Sequence, residues 1–252
     1  MRGSSLLGAL QLLALSLLAA CASGRSDVEL PAPIPIPAEV DFTNDVHWFR
    51  NSAEYKAIAL QTYRMATDRL RELSAGRVAG SWAVILDADE TVLDNSEYQK
   101  RLAARKQTFA NDTWNAWVRE GTAGVIPGAP EFTQAAHDMG GRVAIVTNRD
   151  EGVCDATRSN LRRAGITADV VLCRPPASGD KNPRFAAVAN GSAAPGLPPL
   201  AVLMWVGDNV QDFPALTQAV LDHGPSALDA FGRTYIMLPN PMYGSWERNP
   251  RR

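Results

Sequence analysis

The sequence predicts an α/β protein built on a doubly wound parallel sheet, and three observations lead there. Continuous apolar runs recur at 82–86, 143–146 and 200–206, and runs of this length without alternation suit strands buried on both faces. Segments of helical pattern separate them, so that strand and helix alternate along the chain. Each run stops abruptly in polar residues, namely Asp87, Thr147-Asn148-Arg149 and Gly207-Asp208-Asn209. Those stops mark the carboxyl ends of strands, where sheets of this kind bind ligands.

Taken in order, residues 1–20 read as an export signal. Arg2 provides the positive start, 6–18 an apolar stretch too short to span a bilayer comfortably, and Ala19 and Ala20 the small residues before Cys21. Residues 21–40 read as a tether, because Pro31, Pro33, Pro35 and Pro37 prevent helix and stiffen the chain toward polyproline II. The domain proper covers 41–252. Its first element is one long helix over 48–73, capped by Asp45, with Phe49, Ala53, Ile58, Ala59, Tyr63, Ala66 and Leu70 at helical spacing and Ser74-Ala75-Gly76 as its stop. Further strands are expected at 170–172 and 235–238, and further helices at 131–139, 153–164, 184–189 and 213–221. Residues 95–124 interrupt the alternation between the first two core strands. Carrying Tyr98, Phe109, Trp114 and Trp117, they read as a small, mainly helical cap over the strand ends. Residues 191–199 form a Gly/Pro-rich loop.

Hydrophobic residues at 46% and charged residues at 21% place the chain among ordinary globular domains. A formal charge of −2 gives no sign of the basic surface that a nucleic-acid polymer would need. Cys154 and Cys173 are either a disulfide or two buried thiols, and spacing alone leaves both open. His47, His137 and His223 match no metal spacing, and neither a serine-hydrolase elbow nor a Walker loop is present.

The chemistry concentrates in carboxylates. Asp87 and Asp89 end one buried strand, and Asp208 and Asp212 follow another. Charges so placed repel one another and lose hydration unless a cation joins them. An all-oxygen donor set suits Mg²⁺, which keeps some waters and accepts phosphate oxygens.

Asp87-x-Asp89-x-Thr91, then Thr147, then Lys181 with Arg184, then Gly207-Asp208-Asn209-x-x-Asp212, resemble in this order the four motifs of the haloacid-dehalogenase (HAD) phosphatases. Stretches 48–55, 86–96, 126–132, 146–149 and 237–247 are similar to the class C acid phosphatases, a branch of bacterial lipoproteins with nucleotidase activity, and the likeness runs from Trp48 to Glu247. The resemblance implies a HAD-like Rossmannoid core and a phosphatase in which Asp87 is the nucleophile and Asp89 the general acid and base. It implies Mg²⁺ held by Asp87, the Asp89 carbonyl and Asp208, with Asp212 behind them or as a further ligand. Thr147 and Lys181 would grip phosphate, and Asn148, Arg149 and Asn95 would line the site or orient its loops. Trp114 and Tyr243 occupy positions resembling a pair that sandwiches a nucleobase, which points to nucleoside 5′-monophosphates. A phosphotransferase and a binding lipoprotein without catalysis are the rival readings. Leu18-Ala19-Ala20-Cys21 resembles the bacterial lipobox, whose cysteine carries the lipid. Ala22 then fits outer-membrane sorting, and the family implies a homodimer acting on small phosphomonoesters in the cell envelope.

Overall fold

The computed structural model describes residues 42–251. The expected signal segment, Cys21 and the whole proline-rich tether lie outside the described residues. In place of one long opening helix there are two, α1 (Asn44–Asn51) and α2 (Ala53–Ser74). Ser52 breaks them. It is extended, and its hydroxyl accepts a hydrogen bond from the Tyr55 N–H at 3.0 Å, the N-cap arrangement that starts a helix. Apolar spacing runs through both helices, so periodicity alone joined them.

Strand β1 (Trp82–Leu86) follows and is buried along its whole length. The insertion comes next: β2 (Leu93–Asp94), α3 (Ser96–Arg105), α4 (Asn111–Glu120) and β3 (Gly124–Val125). Because β2 and β3 pair antiparallel, the insertion leaves and rejoins the core through one short ribbon. The chain then runs α5 (Ala129–Asp138), β4 (Arg142–Asp150), α6 (Cys154–Arg163), β5 (Val170–Arg174), α7 (Asn182–Asn190), β6 (Ala201–Gly207) and β7 (Tyr235–Met237). No α-helix forms over 213–221. Phe213 is extended, as the residue before a proline tends to be, and 3₁₀ turns at Val210–Asp212 and Gln218–Asp222 flank Pro214.

The five core strands lie in the order β5-β4-β1-β6-β7, all parallel. Side chains of β1 alternate between two cores. Trp82, Val84 and Leu86 join the one formed with α2, α5 and α6, while Ala83 and Ile85 meet Phe185 and Val188 of α7 on the other face. From β1 the chain crosses to β4, whereas β6 leads on to β7 at the opposite edge. The crevice between β1 and β6 is therefore the topological switch point, where doubly wound sheets place their ligands. Asp87 and Asp208 stand on its two sides. Cys154, the first residue of α6, forms a disulfide with Cys173 of β5. Among the described residues no helix is long and apolar enough to cross a membrane.

Candidate active site

Parallel pairing delivers the polar ends of β1 and β6 to the same edge. The Asp87 N–H donates to the Val206 carbonyl at 3.0 Å, and the Leu238 N–H to the Gly207 carbonyl at 2.9 Å. Beyond Asp87 the chain folds into a tight loop in which the N–H groups of Val92 and Leu93 both reach the Ala88 carbonyl. Glu90 adopts a left-handed conformation at φ 51°. Its buried carboxyl accepts the Asn95 N–H at 2.8 Å, which offsets the strained backbone locally. On the β6 side, a Cβ at Gly207 would come within 2.3 Å of the Asp212 Cβ, so only glycine lets the turn fold back on the strand.

Carboxylate oxygens of Asp87, Asp208 and Asp212 lie within 4.8 Å of one another. Between two of them sits Lys181, at the start of α7, with its Nζ 2.5 Å from Asp87 Oδ1 and 2.6 Å from Asp212 Oδ1. Burial pushes the Asp87 carboxyl from 3.8 up to about 7, against the pull of Lys181, with Asp212 and Asp89 adding to the rise. Asp208 is held well above the carboxylate range by burial first, then by Asp212 and Asp87. Burial works against the Lys181 ammonium, but Asp212 and Asp87 outweigh it and keep it protonated.

Three carboxylates against one ammonium leave two negative charges, which matches a divalent cation. The oxygen donors fit a hard ion such as Mg²⁺. Asp212 is already engaged on both oxygens, by Lys181 and by the Asn209 N–H at 2.9 Å, and so stands behind the ion site as an orienting group. Asp208 is aimed by Thr91 at 3.1 Å and Asn240 at 2.9 Å. The Asp89 carboxylate is engaged elsewhere, by Asn95 and Arg149, and is not one of the three clustered carboxylates.

Thr147 is fully buried at the end of β4, where the pairing with β5 slips so that four steps along β4 match two along β5. Such a bulge re-aims the residues that follow. Asn148 is exposed and lines, with Lys181, Gln211 and Thr217, a cavity of about 460 Å³ beside the site. Arg184 ties this side together by donating to the Thr147 carbonyl at 2.5 Å and to Asn148 Oδ1 at 2.6 Å.

Asn95, at the start of the insertion, and Arg149, in β4, are fully buried, as Thr147 is. Both bond Asp89, and Trp117 of α4 donates to Asn95 Oδ1. Trp114 is half-buried in α4, against Tyr98 and Phe109. Tyr243 is half-buried near the C-terminus, packed against the larger core, with its hydroxyl unpartnered among the described residues. Sequence alone gives neither Thr91 nor Asn240 an individual role, whereas Trp117, one helical turn from Trp114, packs inward as its spacing suggests. Thr91 lay inside the first motif, and Asn240 followed the last strand at the same sheet edge, but nothing local marks either as a partner of Asp208.

The chain matches the family described as "HAD superfamily, subfamily IIIB (Acid phosphatase)" over residues 9–246. Two solved structures of the class C acid phosphatase from Bacillus anthracis are similar. One, with tungstate bound, has a TM-score of 0.71 at 28% identity, and the other a TM-score of 0.70 at 30% identity. Each comparison covers 81% of this chain and 85% of the other. Acid phosphatase 1 of Solanum lycopersicum is 30% identical over 114 residues, which span 41% of this chain and 44% of that protein.

Protonation and cation binding compete at the carboxylates. A raised folded-state value means that the contribution to stability is complete below the ordinary value of 3.8 and is lost as pH climbs through about 7. Added Mg²⁺ is therefore expected to raise the Tm of chelator-treated protein more at about pH 8 than at about pH 5. Equal shifts at the two pH values, read by scanning calorimetry, would contradict this picture of the cluster.

Proposed function

The chain belongs to HAD superfamily subfamily IIIB, the acid phosphatases, and from that membership we propose that it hydrolyses phosphomonoesters through a phosphorylated Asp87. One observation carries the reading: a buried carboxylate at the switch point, tied to Lys181, has two further carboxylates within 4.8 Å and Asp89 two residues on. A carboxylate so enclosed is costly to the fold, and groups perturbed in this way cluster at functional sites.

Asp87 attacks phosphorus as the bond to the leaving oxygen breaks, while Asp89 supplies that oxygen with a proton. Asp89 then takes a proton from the water that attacks the phosphorylated Asp87. Phosphate leaves, and both carboxyl groups return to their starting forms. Lys181 opposes the charge on the transferring oxygens, and the Thr147 hydroxyl and Asn148, at the end of β4, complete the phosphate side. Asp87, the Asp89 carbonyl and Asp208 would hold Mg²⁺, which when bound would neutralise phosphate charge.

Nucleoside monophosphates are the proposed substrate class. Trp114 and its neighbour Phe109, which is 58% exposed, offer an aromatic face on the cap, and stacking accepts any base. We also place the protein in the cell envelope, as an outer-membrane lipoprotein anchored through Cys21. The residues 18–21 support this, as does a disulfide of the kind that persists in oxidising compartments.

Asp87→Asn is expected to lower phosphate release from p-nitrophenyl phosphate in Mg²⁺ by at least about 1,000-fold. Activity near wild type would rule out the covalent role. Trp114→Ala should lower kcat/KM for nucleoside monophosphates about 5-fold or more, as a stack of ~1–3 kcal/mol implies, while use of p-nitrophenyl phosphate changes little. Equal losses on both would remove the stacking proposal. Cys21→Ser should move the protein from the membrane to the soluble envelope fraction, and unchanged membrane association in fractionated cells would refute the anchor.

A further inference from the structure

Arg149 is a fully buried cation that the reaction scheme above does not use. Its Nε donates to Asp89 Oδ1 at 2.8 Å, and its Nη2 lies 2.8 Å from the same oxygen and 2.9 Å from Asn95 Oδ1. Asn95 Nδ2 donates to that same Asp89 oxygen at 2.9 Å. Thus Oδ1 of Asp89 receives donors from two side chains, whereas Oδ2 has no protein donor among the described residues. The arrangement is secured from the cap, and by one helix. In α4, Trp117 Nε1 donates to Asn95 Oδ1 at 2.9 Å, and the Trp114 ring centroid lies 5.7 Å from the Arg149 Cζ.

An oxygen that accepts several hydrogen bonds is a poor place for a proton, because an O–H there would face N–H donors. We propose that Arg149, together with Asn95, is a positioning residue: it commits Oδ1 of Asp89 to accepting and leaves Oδ2 as the oxygen that carries the transferable proton. In the first half-reaction that proton passes from Oδ2 to the leaving oxygen as the P–O bond breaks. In the second it returns to Oδ2 from the attacking water. The proposal rests on the phosphomonoesterase reading and deepens it. It assigns Arg149 no contact with substrate.

Leaving groups separate this role from a strut and from a phosphate ligand. Nitrophenolate departs without a proton, whereas an alkoxide needs one, and kcat/KM reports the steps up to that departure. Wild type, Arg149→Met and Arg149→Lys would be compared in Mg²⁺ on p-nitrophenyl phosphate and on a primary alkyl phosphate, with inhibition by inorganic phosphate measured alongside. Arg149→Met is expected to lose about 100-fold in kcat/KM on the alkyl ester but only about 5-fold or less on the aryl ester. Phosphate inhibition should hold within about 2-fold. Arg149→Lys keeps a buried cation but lacks the fork, so it should show the same split at smaller amplitude. Should the methionine variant not fold, the lysine variant decides alone. Equal losses on the two esters, no loss on either, or weakened phosphate inhibition would each overturn the proposal. Wild-type protein that releases phosphate from neither ester would defeat the hydrolase reading itself, before any variant is compared.

Discussion

Like charges brought together without water are the constraint around which this protein is arranged. The switch point of the sheet places Asp87 and Asp208 on neighbouring strands, and the glycine turn after β6 folds Asp212 in beside them. Left alone, three carboxylates in that space would oppose folding. The ammonium of Lys181 answers part of the repulsion, and the remaining charge is what makes the site receptive to a divalent ion. Loops that look independent along the chain are thereby coupled. Lys181 is set by α7, α7 is tied through Arg184 to the end of β4, and β4 carries Thr147. Shifting any of these would leave a charge buried without its partner.

The cap adds a second layer of control. It touches the core at polar points as well as apolar ones: Asn95 on Asp89 and Arg149, Asn115 on Asp150, and Ser96 and Glu97 on Arg50 of α1. Asp150, which Asn115 and then Arg174 hold below the usual carboxylate range, joins α4 to the strand that also carries the disulfide. The ground under Asp89 is therefore built jointly by the cap and the sheet.

Much of this was legible in the residues. β1, β4 and β6 announced themselves because burial on both faces leaves no polar alternation to blur them. The pairs Asp87/Asp89 and Asp208/Asp212 stood out because carboxylates seldom end such runs without cause. Other features depend on what lies across space rather than along the chain. Ser52 ends one helix and caps the next without disturbing apolar spacing. Pro214 spoils a segment that otherwise reads as helix, by forcing Phe213 to extend. Asn95 and Arg149 stand beside the first and second motifs, but their meeting on one oxygen of Asp89 depends on distant stretches of chain coming together. The pairing of Cys154 with Cys173 needed the slipped register between β4 and β5, along with the turn into α6, to be seen.

The two-residue ribbon of β2 and β3 has a consequence of a different kind. It brings the entry and exit of the whole insertion side by side, about 5 Å apart, as any paired strands must be. Neither end takes part in the five-stranded sheet. The lid is thus attached like a cartridge on a single clip, and a replacement segment would need adjacent ends and, in place of Asn95, Trp114 and Trp117, groups that hold Asp89 and Arg149.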